Sequence, residues 1–135
     1  MIVVDANVIA YLLLPGDFVS YAESLLCNDP EWHVPVLWRS EIRSVLGAWM
    51  RNRDLSRQKA VRLFETAERI VQGREHIVSA AEVLRLMDST DCSAYDCEYA
   101  ALAGQLSVPL VTCDKQLLRA FPAFAVSLLD SHVKP

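Results

Sequence analysis

The sequence predicts an α/β fold, a three-layer α/β/α sandwich around a mostly parallel sheet. Short apolar runs such as Ile2-Val3-Val4 and Leu110-Val111 alternate with longer segments whose apolar residues recur at helical spacing. Two of these runs close on an aspartate, Asp5 and Asp114, and pass directly into a helical segment. In parallel sheets such carboxyl strand ends share one edge, where ligand sites gather. At 135 residues and 53% hydrophobic content the chain can bury one core, so a single domain over 1–135 is expected, with a loose tail from about 131.

The elements follow in order. Residues 2 to 5 read as a buried strand, and Asn7 to Leu14 as a helix stopped by Pro15-Gly16. From Phe18 to Leu26 the residues Val19, Ala22, Leu25 and Leu26 keep helical spacing, and Asn28-Asp29-Pro30 ends it. Trp32 to Pro35 suits a strand. Leu37, Ile42, Val45, Leu46 and Trp49 line a helix reaching Arg53, with Glu41 in its first turns. Ser56 caps the next helix, whose stripe runs Ala60, Leu63, Phe64, Ala67, Ile70 and Val71 before Gly73. His76 to Val78 reads as a short strand and Ala80 to Met87 as a helix. After the cap Ser93, residues Tyr95, Tyr99, Leu102, Ala103 and Leu106 fall on one helical face. Leu110-Val111 is a strand, KQLLRAF a helix stopped at Pro122, and Ala125 to Leu129 a last strand.

Composition excludes several classes. No apolar stretch approaches the roughly 20 residues that cross a bilayer, so no membrane association is expected. The N-terminus reads straight into a strand and not into a secretory signal, so a cytoplasmic protein is expected. There Cys27, Cys92, Cys97 and Cys113 are expected as reduced thiols; none forms a CxxC pair, and Cys92 and Cys97 miss zinc-knuckle spacing. With four glycines the chain has no GxGxxG or Walker loop, and His33, His76 and His132 sit in no nucleophile elbow. Trp38 and Trp49 fit core packing or a partner-helix groove better than base stacking. The net charge is −4, yet Arg39, Arg43, Arg51, Arg53, Arg57, Lys59 and Arg62 supply seven of the 13 basic residues within one stretch. That stretch is a solvated helix face or a track for a polyanion.

Four acids stand out by position: Asp5 and Asp114 at strand ends, Glu41 early in a helix, and Asp96 in the first turn of another. Each alone has a structural reading as an N-cap, a capping box with Ser93 or a solvated residue. Together at one edge they would raise each other's pKa unless a cation neutralised them. Mg²⁺ or Mn²⁺ suits carboxylate and water oxygens, and such an ion binds phosphate despite the protein's acidity.

The segments VVDANVIAYLL, RSEIRSVL, SAYDCEYAALA and LVTCDKQLLRAF resemble, in order, the four acidic motifs of the PIN-domain nucleases, and the length is similar to that of VapC-like toxin ribonucleases. The resemblance runs from Val3 to about Phe121. It implies a metal-dependent endoribonuclease with Asp5, Glu41, Asp96 and Asp114 as its acids. Asp5 and Asp96 would be direct ligands of Mg²⁺ or Mn²⁺, while Glu41 and Asp114 would bind metal, hold its waters or accept a proton. Asn7 and Thr112 match the flanking polar positions. It further implies an RNA substrate, a cognate antitoxin and a homodimer, with Arg39, Arg43, Arg51 and Arg53 as candidate contacts to the RNA backbone. A housekeeping RNA-processing nuclease and a catalytically silent RNA- or protein-binding module are the alternatives.

Overall fold

The computed structural model describes residues 1–131. Five short strands form: β1 (Ile2–Val4), β2 (Trp32–Pro35), β3 (Glu75–His76), β4 (Leu110–Thr112) and β5 (Ala125–Ser127). The helices between them are α1 (Ala6–Leu13), α2 (Val19–Asn28), α3 (Trp38–Asn52), α4 (Arg57–Ile70), α5 (Ala80–Ser89), α6 (Ala94–Leu106) and α7 (Lys115–Ala120), with a final turn α8 (Leu128–Ser131). The expected helices fall within two residues of these bounds. Ser56 and Ser93 cap α4 and α6 as expected, and Ser79, not singled out in the sequence, caps α5; each accepts the backbone N–H three residues on.

The sheet order is β3-β2-β1-β4-β5, and every pair is parallel. Strand order therefore reverses between β1 and β4, the position at which open α/β sheets leave a crevice beyond their carboxyl ends. Register is set by Val3 opposite Leu110 and Val4 opposite Val111, which puts Asp5 beside Thr112 just past the last ladder rung. β1, β2 and β4 are wholly buried, as central parallel strands covered on both faces must be. Helices flank the sheet. α6 lies on β1, β2 and β4 and is joined by α5, while α1 packs with α2, α3 and α4.

Three expectations need correction. β3 is Glu75–His76 rather than His76–Val78, because its partner β2 ends at Pro35; beyond that rung Ile77 is 86% exposed. The final strand stops at Ser127, not Leu129: the Ser127 hydroxyl accepts the Leu129 N–H at 3.2 Å and bends the chain into α8. Tyr95 does not join the buried face of α6 but stands 61% exposed, whereas Tyr99 is buried. Of the expected loose tail, Ser131 belongs to α8 and positions 132–135 lie outside the described residues. All four cysteines are free. Among the described residues no helix is long and apolar enough to cross a membrane.

Candidate active site

Asp5 is the first residue after β1 and only 6% exposed, one of three buried polar residues among the described residues, with His33 and Thr112. It occupies the N-cap position of α1, yet its side chain makes no N-cap hydrogen bond; from that helix only the adjacent Ala6 N–H favours its charged form. Instead Asp5 Oδ2 accepts the Thr112 hydroxyl at 2.8 Å. The same Thr112 oxygen accepts the Asp114 backbone N–H at 2.9 Å. One fully buried threonine at the end of β4 thus ties the two strand-end acids together. Asp114 itself does cap its helix, with Oδ1 accepting from the N–H groups of Gln116 and Leu117 at 2.8 and 3.2 Å. The structural reading offered for these aspartates fits Asp114 and fails for Asp5.

Two helices bring the other acids to this edge. Asp96 lies in the first turn of α6, its backbone N–H held by Ser93 Oγ at 3.1 Å. Glu41 projects from the first turns of α3, and its Oε1 accepts the Tyr99 hydroxyl at 2.6 Å. Charge reports their proximity. The carboxyl of Asp5 is pushed above its ordinary range first by burial and then by Asp96 and Asp114, against the stabilising Thr112 and Ala6 donors. Glu41 is raised by burial, then by Asp5, Asp96 and Glu98, and Tyr99 offsets part of this. Asp96 is raised by burial and by Asp114. The four acids singled out in sequence therefore share one field. Asn7, by contrast, is exposed on α1 and its side chain forms no hydrogen bond among the described residues.

The donors are carboxylate oxygens, the chemistry that hard divalent ions select. Among the described residues, no group of three or more His, Cys, Asp or Glu side chains is arranged to hold a metal by itself. An ion such as Mg²⁺ that retains several waters needs only one or two carboxylates, which the acids of this edge can supply.

The basic segment behaves differently from the acids. Arg39 is tied down: it donates to Glu75 Oε1 and Oε2 at 2.7 and 2.9 Å and to Glu68 Oε2 at 2.8 Å, and its guanidinium lies over the Trp38 and Phe64 rings. As a phosphate contact it is spoken for by acids 29 and 36 residues away, a pairing of which the sequence gives no sign. Arg43, Arg51 and Arg53 are exposed. Arg43, with Arg57, edges an apolar groove between α3 and α4 floored by Leu46, Ala60 and Phe64, and Arg53 stacks on Trp49 at 5.0 Å. Two residues went unrecognised in the sequence, Tyr99 and Glu98. The spacing of Tyr99 from Asp96, three positions along one helix face, was the available signal, but a buried aromatic at helical spacing reads first as core.

A fold with its strand-order reversal at Asp5 and Asp114, and carboxylates gathered there, defines a class of acidic-site α/β domains. Residues 2–121 match the PIN domain family, and this chain belongs to it. It is 31% identical over 126 residues to Ribonuclease VapC3 of Pyrobaculum aerophilum, covering 90% of this chain and 95% of that protein. The fold is similar to the crystal structure of PAE2754 from Pyrobaculum aerophilum, with a TM-score of 0.77 at 20% identity over 98% of this chain and 86% of the other. It is also similar to FitAcB from Neisseria gonorrhoeae, with a TM-score of 0.70 at 24% identity over 96% and 99% of the two chains.

Proposed function

We propose that this chain is a divalent-metal-dependent endoribonuclease that hydrolyses RNA phosphodiester bonds in the cytoplasm, as the toxin of a type II toxin–antitoxin pair. The observation that carries the reading is Asp5: a buried carboxylate, left unused as a cap and held by Thr112 among other acids. An acid kept there without a structural task is expensive unless it has a chemical one. Membership of the PIN family and the likeness to a VapC ribonuclease support RNA as substrate and a cognate antitoxin as partner.

Asp5 and Asp96 would hold Mg²⁺ or Mn²⁺ directly. When bound, the ion supplies Lewis-acid charge to the phosphodiester and lowers the pKa of a nearby water. Glu41 and Asp114 would hold a water or accept its proton, and Thr112 fixes the Asp5 carboxylate. No side chain becomes covalently attached to the substrate. Arg43, Arg51 and Arg53 are the candidates for backbone contacts along the RNA, Arg39 being consumed by its ion pairs. The expected working form is a homodimer, with a cognate antitoxin as its inhibitor.

Induced expression in a heterologous bacterium is the first cellular test. Growth arrest with accumulation of discrete RNA fragments, both abolished by Asp96→Asn, is the expected result; arrest that persists in Asp96→Asn with intact RNA refutes the nuclease reading.

A further inference from the structure

We propose that Tyr99 is a positioning residue of the acidic site: its hydroxyl fixes Glu41 so that the second carboxylate oxygen is presented to Asp5 and Asp96. This rests on the metal-nuclease reading above and adds to it a residue outside the four acids. The contact joins two helices far apart in sequence, since Tyr99 on α6 donates to Glu41 Oε1 on α3 at 2.6 Å across 58 positions. Glu41 is long and only partly buried, and untethered it would spread over several rotamers and spend little time facing the cluster. Tyr99 is the opposite kind of side chain. It is 1% exposed, its ring clamped in the core, and it moves about few bonds. A rigid donor holding a flexible acceptor fixes the acceptor, so order passes from the core into Glu41.

The arrangement is asymmetric in a useful way. Oε1 is taken by the phenol, while Oε2 carries no hydrogen bond among the described residues and remains to face ligand. Tyr99 and Asp96 are three residues apart on α6, hence on one face of that helix. One helical turn thereby delivers an acid of the site and the clamp for another. A tyrosine buried for packing alone needs only some acceptor, and any backbone carbonyl would serve; here the acceptor is a carboxylate of the cluster itself.

The test is Mn²⁺ binding to the full chain, by calorimetry and by the electron paramagnetic resonance of free Mn²⁺, in wild type, Tyr99→Phe, Glu41→Ala and the double variant. Removing one oxygen from Tyr99 is expected to weaken Mn²⁺ binding about tenfold, as loss of a group that orients a ligand does, and to lower kcat for RNA cleavage while KM stays within about twofold. In the Glu41→Ala background, which has no acceptor for the phenol, the same substitution should change Mn²⁺ affinity little, because its effect runs through Glu41. Wild-type affinity in Tyr99→Phe overturns the proposal, and so does an equal loss in both backgrounds. Should Tyr99→Phe fail to fold, Glu41→Asp breaks the same contact by retracting the carboxylate one methylene, and unchanged affinity there overturns it equally. A wild type that binds no Mn²⁺ overturns the metal-nuclease reading itself, a result distinct from all of these.

Discussion

Thr112→Val isolates the link between the two strand-end acids. Valine keeps the shape of threonine at a fully buried position, so the substitution removes hydrogen bonds and leaves packing nearly intact. Two bonds go: the hydroxyl's donation to Asp5 Oδ2 at 2.8 Å and its acceptance of the Asp114 N–H at 2.9 Å. A hydrogen bond to a charged group is worth about 1.5–3 kcal/mol, and a buried donor left unpaired costs about 1–3 kcal/mol. Asp114 is half-buried and its N–H can find water, which favours the low end for the second. The sum is about 2.5–4 kcal/mol, a large share of the roughly 5–15 kcal/mol that holds a domain together. Thr112→Ser keeps both bonds and loses one methyl, about 1 kcal/mol. Urea denaturation at pH 7, followed by tryptophan fluorescence, should separate the two variants by about 1.5–3 kcal/mol, with Ser also keeping more activity. Equal losses of stability and activity for Val and Ser would refute the claim that this hydroxyl organises the acids.

Asp5→Asn should abolish cleavage yet raise stability in EDTA. The Asp5 carboxyl is raised by burial and by its acidic neighbours, so its ionisation weakens the metal-free fold as pH rises from the ordinary aspartate value through the raised one. A melting point at pH 7 no higher than wild type would contradict this. His76 supplies the pH dependence on the alkaline side of that window. Glu31 takes His33 Nε2–H at 3.1 Å, which leaves His33 Nδ1 to accept from His76 Nε2 at 2.8 Å, and His76 is lowered by burial and then by His33. Its contribution is complete above about 6.5 and is lost as pH falls through the lowered value. His76→Asn should therefore flatten the fall of the urea midpoint between about pH 7 and 5; an unchanged slope would dismiss the pair. Trp38→Phe should cost about 1–2 kcal/mol more than Trp32→Phe, because Trp38 Nε1 donates to Glu75 at 2.6 Å whereas buried Trp32 Nε1 has no partner among the described residues. Equal costs would show that the Glu75 bond contributes nothing.

The strand-then-aspartate pattern was legible because a parallel strand is buried on both faces, so its end is marked by the first residue that must meet a polar edge. Asp5 and Asp114 announced themselves in that way, whereas Thr112 came only from the resemblance to the PIN motifs. What could not be read was partnership over distance. Arg39 looked like its neighbours Arg43 and Arg51 until the fold set Glu68 and Glu75 against it. Tyr95 and Tyr99 share an aromatic identity and one apparent stripe, yet one faces solvent and the other Glu41. The short elements drifted most. β3 and β5 are defined by where their neighbours end, and a two- or three-residue strand carries too little pattern to fix its own limits.

The most direct test of the central claim is cleavage of a mixed set of single-stranded and structured RNAs by purified protein with Mg²⁺, with Mn²⁺ and with EDTA, beside folded Asp5→Asn. Cleavage that requires the metal and disappears in Asp5→Asn is the predicted result. Cleavage that survives EDTA, or that Asp5→Asn performs at the wild-type rate, contradicts the assignment of the buried strand-end acid as the centre of the site.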